Sequence, residues 1–167
     1  MNNKIKINML VQENMPEGQG VGSAYEEQVA LLKEGSTDYF DIKINSLKEA
    51  DITHHHTINP THYFHMLTNK GVNVVSVHFL PHTIDGSIKL PKGMFNIFKN
   101  YIVNFYKVAD YLVVVNPIFK NELERYKLKG EVVYIPNYVS KEDFYKKELK
   151  QKEEIRSKYN IDKNKFV

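Results

Sequence analysis

The sequence contains no cysteine, which excludes disulfides and thiolate metal centres. It lacks any apolar run near the roughly 18 residues of a membrane span. Its amino terminus enters a strand-like stretch at once, so no secretory leader is expected. A net charge of +3 over 167 residues is too small to argue for a nucleic-acid partner. Acid is missing from residues 86–109, which hold four lysines, whereas residues 12–51 hold nine acidic side chains against three basic. That uneven placement is more informative than the total.

What is present describes one α/β domain. Hydrophobic residues make up 42% and charged residues 26% of the chain, the balance of a globular protein, and the length suits a single core. Residues 4–11 (KIKINMLV) read as a strand, and residues 23–33 (SAYEEQVALLK) carry apolar side chains at helical spacing. Between them GQGVGSAY, residues 18–25, supplies three glycines in five positions. Such a turn lets backbone N–H groups approach an anion at the positive end of a helix. The spacing is GxGxG rather than the dinucleotide fingerprint GxGxxG, and no Lys-Ser/Thr follows, so a tight turn needing only small residues is the competing reading.

Strands are expected at 40–45, 50–56, 72–79, 111–115 and 131–135, and helices at 62–70, 94–109, 117–126 and 148–159. Residues 40–45 suit an edge strand. The β-branched run 72–79 suits the middle of the sheet, and 111–115 is apolar enough to be buried on both faces. Gly71 is expected to stop the second helix, and Asn116 and Pro117 to open the fourth. This alternation predicts a Rossmann-like, doubly wound, mainly parallel sheet that binds ligands beyond its strand carboxyl ends. From residue 140 the chain carries nine basic and six acidic residues. Residues 161–167 resemble the start of another strand with nothing after it. Residues 1–145 are therefore expected to be the domain, and 146–167 a charged linker into something further.

Reactive side chains gather at strand ends. His54 and His56, two apart, share a strand face, with His55 on the other. A metal would need a third ligand, and no carboxylate sits at a suitable offset, although a metal-dependent hydrolase using His54, His56 and His78 is one alternative. His78 closes the central strand. His82 follows in a loop, residues 80–93, long enough to be functional. His62 and His65 are expected at the surface. The helix at 94–109 and its approach combine Lys89, Lys92, Lys99 and Lys107 with Ile88, Leu90, Phe95 and Phe98, a pattern suited either to an anionic membrane or to a core helix with solvated lysines.

GQGVGSAY, DITHHH, VVSVHF, YLVVVNPIFKNEL and YIPNYVS, in this order, resemble the amino-terminal half of family-four retaining glycosyltransferases of the GT-B fold. Within that family GQGVGSAYEEQVALLKEG, INS, HFLPHTIDGSIKLP and IPNYVSKEDFY resemble the diacylglycerol glycolipid synthases of low-GC Gram-positive bacteria. The resemblance implies a UDP-hexose donor and a lipid acceptor, diacylglycerol or monoglycosyl-diacylglycerol. It implies that Gly18, Gln19, Gly20, Val21, Gly22, Asn116 and Asn137 face the donor, and that His78 is the catalytic group supporting the transferred sugar. His56 and His82 would shape the acceptor pocket, and Lys89, Lys92 and Lys99 would rest on an anionic membrane. The resemblance implies no metal or other cofactor, since enzymes of this family generally need none, and it implies that the donor phosphate assists the acceptor hydroxyl, so no protein nucleophile is expected. A carboxyl-terminal domain would hold the nucleotide, and the protein would be cytoplasmic, peripheral on the inner face of the cell membrane. A polysaccharide or teichoic acid acceptor, and a non-catalytic module binding a phosphorylated ligand, remain as alternatives.

Overall fold

The computed structural model describes residues 4–12, 20–35, 38–83, 91, 93–138 and 145–166. Among these, β1 (Ile5–Leu10), β2 (Phe40–Ile44), β3 (Ile52–His55), β4 (Val72–Val77), β5 (Tyr111–Val114) and β6 (Glu131–Tyr134) form one sheet. Its order is β2-β1-β3-β4-β5-β6, and every neighbouring pair is parallel. The helices are α1 (Gly20–Gly35), α2 (Pro60–Thr68), α3 (Met94–Lys107), α4 (Pro117–Glu124) and α5 (Leu149–Lys158). The fold is the Rossmann-like α/β sheet that the alternation predicts, with β2 on an edge and β4 inside.

The strand order explains which helix covers which face. From β1 the chain moves outward to β2, and from β3 it moves the opposite way through β4, β5 and β6. Right-handed crossovers then put α1 on one face and α2, α3 and α4 on the other. The packing agrees. Ile7 and Met9 meet Tyr25 and Val29 of α1, while Val75, Val77, Leu112 and Val114 meet Met66, Ile102, Phe105, Tyr106 and Leu123. On α3, Phe95, Phe98, Ile102 and Phe105 form an inward stripe at helical spacing. The Tyr106 hydroxyl, taken out of water, donates to the Phe79 carbonyl at 2.9 Å.

Between β2 and β3 no helix intervenes. Asn45, at φ 49°, turns the chain, and its side chain accepts from the Val11 N–H at 2.9 Å. The segment then passes over β1, where the buried Asn8 donates its side-chain amide to the Lys48 carbonyl at 2.7 Å. At the strand starts one device occurs twice. The Asp51 carboxylate accepts from the Lys6 N–H, and the Asp110 carboxylate accepts from the Asn73 N–H, both at 2.8 Å. Each aspartate's own carbonyl accepts from the first residue of a neighbouring strand, Val72 or Glu131.

Asn59 and Asn116 cap α2 and α4, accepting from His62 N–H and Ile118 N–H at 2.8 Å, with Pro60 and Pro117 in the first turns. The helix α5 begins with a reciprocal capping box between Glu148 and Gln151 and buries none of its residues. Residues 161–166 do not form the strand their composition suggests. Arg156 donates to the carbonyls of Asp162 and Lys165 at 2.7 and 2.9 Å, folding this stretch back on α5, and among the described residues no strand pairs with it.

Candidate functional site

The chain reverses its direction across the sheet between β1 and β3, and the crevice beyond their carboxyl ends is where such sheets take ligands. Leaving β1, the chain enters α1 at Gly20. The first helical turn therefore contains Gly20, Val21 and Gly22, which the sequence had placed in the turn before it. This turn presents backbone donors without intrahelical partners. Gly18 and Gln19 lie outside the described residues.

Beside it, β3 and β4 deliver a cluster of imidazoles. Strand alternation sets Ile52, His54 and His56 on the α1 side with Val74, Ser76 and His78, and His55 on the α2 side. His54 Nε2 is hydrogen-bonded to Ser76 Oγ at 2.9 Å. The His54 and His56 rings are 4.2 Å apart, and His78 stands 6.2 Å from His56. From α1 the Tyr25 ring meets His56 edge-on at 5.0 Å, and its hydroxyl donates to the Met9 carbonyl at 3.5 Å. Backbone pairing holds the strand ends level, the His56 N–H donating to the Leu10 carbonyl at 2.8 Å.

Burial keeps these imidazoles neutral. His54 is pushed down to about 4 by burial and then by His78, and His56 to about 2 by burial and then by His54, His78 and His55. Burial also lowers His78. A neutral imidazole offers one donor and one acceptor. Both ring nitrogens of His56, and Nε2 of His78, are buried without a protein hydrogen-bond partner among the described residues. Polar atoms in this condition are uncommon in folded proteins, and at a strand carboxyl end they suit a polar ligand that brings the missing partners. The arrangement fits hydrogen bonding to hydroxyl groups rather than stabilisation by a fixed positive charge.

On the other face His55 is 5.5 Å from His62 and 5.9 Å from His65, between β3 and α2. The surface expectation for His62 and His65 is corrected here. His62 is buried, its Nδ1–H donating to the Thr57 carbonyl at 3.1 Å, and His65 is half-buried, because α2 turns both toward the sheet. Among the described residues no three side chains converge as metal ligands.

Other expected site residues are more dispersed. Asn116 stands at the carboxyl end of β5, but its carboxamide oxygen is engaged in capping α4. Asn137 is exposed beyond β6. His82 is exposed and hydrogen-bonded to the Tyr126 hydroxyl at 3.2 Å, away from the imidazole cluster. Lys99 is half-buried on α3, and Lys89 and Lys92 lie outside the described residues. Ser76 and Tyr25 were not singled out from sequence. Ser76 was legible as the residue two before His78 on the same strand face, whereas Tyr25 needed the packing of α1. An open depression of about 610 Å³ lies at the opposite end of the sheet, lined by Lys6, Asp51, Lys70 and Asp110. Its aspartates are committed to the backbone contacts already described, so it serves the strand starts.

Over 167 aligned residues, 98% of the chain, the sequence is 38% identical to the alpha-galactosylglucosyldiacylglycerol synthase of Streptococcus pneumoniae. The chain is homologous to a diacylglycerol glycolipid synthase. It spans 45% of that relative's length. No protein-family model matches. The similarity takes in β1, α1 and the histidine-bearing strand ends together, because it covers nearly the whole chain. Among the described residues no helix is long and apolar enough to cross a membrane.

Proposed function

We propose that the chain is the acceptor-side portion of a family-four retaining GT-B hexosyltransferase that transfers a hexose from a UDP-sugar to a membrane lipid, diacylglycerol or monoglycosyl-diacylglycerol. One structural observation carries the reading. His56 and His78 hold unpartnered ring nitrogens at the carboxyl ends of adjacent strands, next to the glycine-rich start of α1. A hexose supplies hydroxyls for the imidazoles, and a nucleotide diphosphate supplies charge for the helix start. The kinship with a glycolipid synthase supports the lipid acceptor.

In this reading His78 hydrogen-bonds the transferred sugar, and His56 lines the pocket behind it. His54, hydrogen-bonded to Ser76, holds His56 in place through ring contact. The donor phosphate takes the acceptor proton, so no protein nucleophile is required and no metal is invoked. The remaining length of such an enzyme would supply most contacts to the nucleotide, and the assembled protein would work at the cytoplasmic face of an anionic membrane.

Two experiments test this. In the full-length enzyme His78→Ala is expected to lower kcat by about ten-fold or more, the effect of losing one polar contact at a transition state. Unchanged kinetics with unchanged stability would return His78 to a structural role. The 167-residue chain alone is expected to fold, giving a cooperative urea transition, and to show no product with UDP-glucose or UDP-galactose and either lipid. Turnover by the isolated chain would overturn the assignment of the nucleotide contacts to the remainder.

A further inference from the structure

Polar atoms without partners are not confined to the imidazole cluster beside α1. Among the described residues a second set runs along β3 and α2: both ring nitrogens of His55, Nδ1 of His65, Oγ1 of Thr57 and Oδ1 of Asn69. His55 points to the α2 side of the sheet, so β3 itself stands between it and any sugar bound at His56 and His78. The substrate that accounts for the first set cannot account for this one.

The contacts of α2 set these atoms in a row. At one end the Asn69 amide donates to Thr53 Oγ1 at 3.3 Å and to Asn73 Oδ1 at 3.0 Å. In the middle His55 lies 5.5 Å from His62 and 5.9 Å from His65, with the Phe105 ring edge-on at 6.3 Å. At the other end His62 Nδ1–H donates to the Thr57 carbonyl at 3.1 Å. The polar neighbours are already committed. Asn73 adjoins the His55 ring, yet its oxygen accepts from Asn69 and its amide donates to the Met66 carbonyl at 3.4 Å. An unpaired polar atom in an apolar interior bears its full desolvation penalty, and five at once would rival the whole stability of a domain. No three side chains converge here as metal ligands among the described residues, and Thr53 and His55, at 0% exposure, are closed to a larger molecule. Rings 5.9 Å apart that do not bond each other through these nitrogens leave the span of a bridging oxygen about 3 Å from each nitrogen.

We propose that the groove between β3 and α2 is a hydration site, holding a short file of roughly two or three buried water molecules that bridge His55 to His65, Asn69 and Thr57. Water supplies both donors and acceptors, which a neutral imidazole, a carboxamide oxygen and a hydroxyl require together. Sealed beneath α2 it brings hydrogen bonds but no counter-charge, so His55 stays neutral. The helix is then docked through solvent along its polar stripe and through Met66 along its apolar one. The same strand presents His54 and His56 on its other face, so these waters seat the backbone that carries the candidate site. The proposal stands apart from the sugar-transfer reading, since it concerns the opposite face of the sheet.

A high-resolution crystal structure of the 167-residue chain tests it directly. Ordered oxygens are expected within hydrogen-bond distance of a His55 nitrogen and of at least one of His65 Nδ1, Asn69 Oδ1 and Thr57 Oγ1. Urea midpoints at pH 7.5 give a second readout. Thr57→Val removes the hydroxyl with little change of shape. In a dry groove it would relieve an unpaired atom and raise the midpoint, whereas in a hydrated one it takes a partner from the water and lowers the midpoint by about 0.5 M, the shift of one lost hydrogen bond at an ordinary denaturant slope. His55→Leu is expected to lower it as well, for the same reason. A groove without solvent density in a well-ordered crystal overturns the proposal. So do His55 nitrogens bonded directly to protein groups, an anomalous-scattering peak from a metal among the three imidazoles, or a raised midpoint for Thr57→Val. Should either variant fold poorly, the wild-type crystal still decides.

Discussion

Lowering the pH from 7.5 to 5 is expected to remove about 6 kcal/mol of folding stability, a large share of the roughly 5–15 kcal/mol that holds a natural domain folded. The cause is burial of imidazoles in neutral form. His54, His55 and His56 are depressed to about 4, 3 and 2, burial acting first on each and neighbouring histidines adding to it. In the unfolded chain each titrates near its ordinary value of about 6.5. Below that value the unfolded state binds protons that the folded state refuses, so stability falls as pH falls. At pH 5 each of the three contributes a loss of about 2 kcal/mol, by linkage. The lowered His62, His65 and His78 act in the same direction. Urea midpoints at half-unit steps of pH measure this. The expected curve is level above pH 7.5 and steep between 6.5 and 5. Replacing one titrating group, as in His55→Leu beside Phe105, should reduce the steep slope by about 1.4 kcal/mol per pH unit. A midpoint unchanged from pH 7.5 to 5 would show that these rings are solvated or already protonated.

Adding one methyl group at Gly71 is expected to cost about 3 kcal/mol or more, as overpacking against backbone does. A Cβ there would strike the Ala50 carbonyl oxygen and lie 2.6 Å from that of Asp51. Neither can yield cheaply, because the Asp51 carbonyl accepts from the Val72 N–H at 2.8 Å and sets where β4 begins against β3. Gly130 repeats the geometry one pair of strands along. Its Cβ would strike the Ala109 carbonyl oxygen and lie 2.8 Å from that of Asp110, which accepts from Glu131. Gly71→Ala and Gly130→Ala should therefore each lower the urea midpoint sharply. Gly35→Ala, where nothing lies within 4 Å, should be neutral or stabilise by up to about 1 kcal/mol through helix propensity. Comparable midpoints for all three would mean that the strand starts shift freely and that these glycines serve no close approach.

Strand periodicity, the apolar runs and the Asn116 cap were local properties, and they were enough to determine most of the elements, the parallel sheet and the sharing of one face by His54 and His56. Asn116 before Pro117 announced a helix start because that device involves only neighbouring residues. Gly71 was legible as a break after α2, yet α2 already ends at Thr68, and the glycine is needed where a distant carbonyl leaves no room for a side chain. His62 and His65 looked like surface residues because a short helix carries little periodic signal, and only docking on β3 decided which side faces inward. The tertiary structure alone joined Tyr25 to His56 and Ser76 to His54, since those pairs lie on separate elements. It also separated His82 from the cluster by tying it to Tyr126, and it set Tyr101 of α3 against Tyr63 of α2. Side-chain spacing thus determined what each element buries, and the packing of one element on another decided which polar atoms were left without partners.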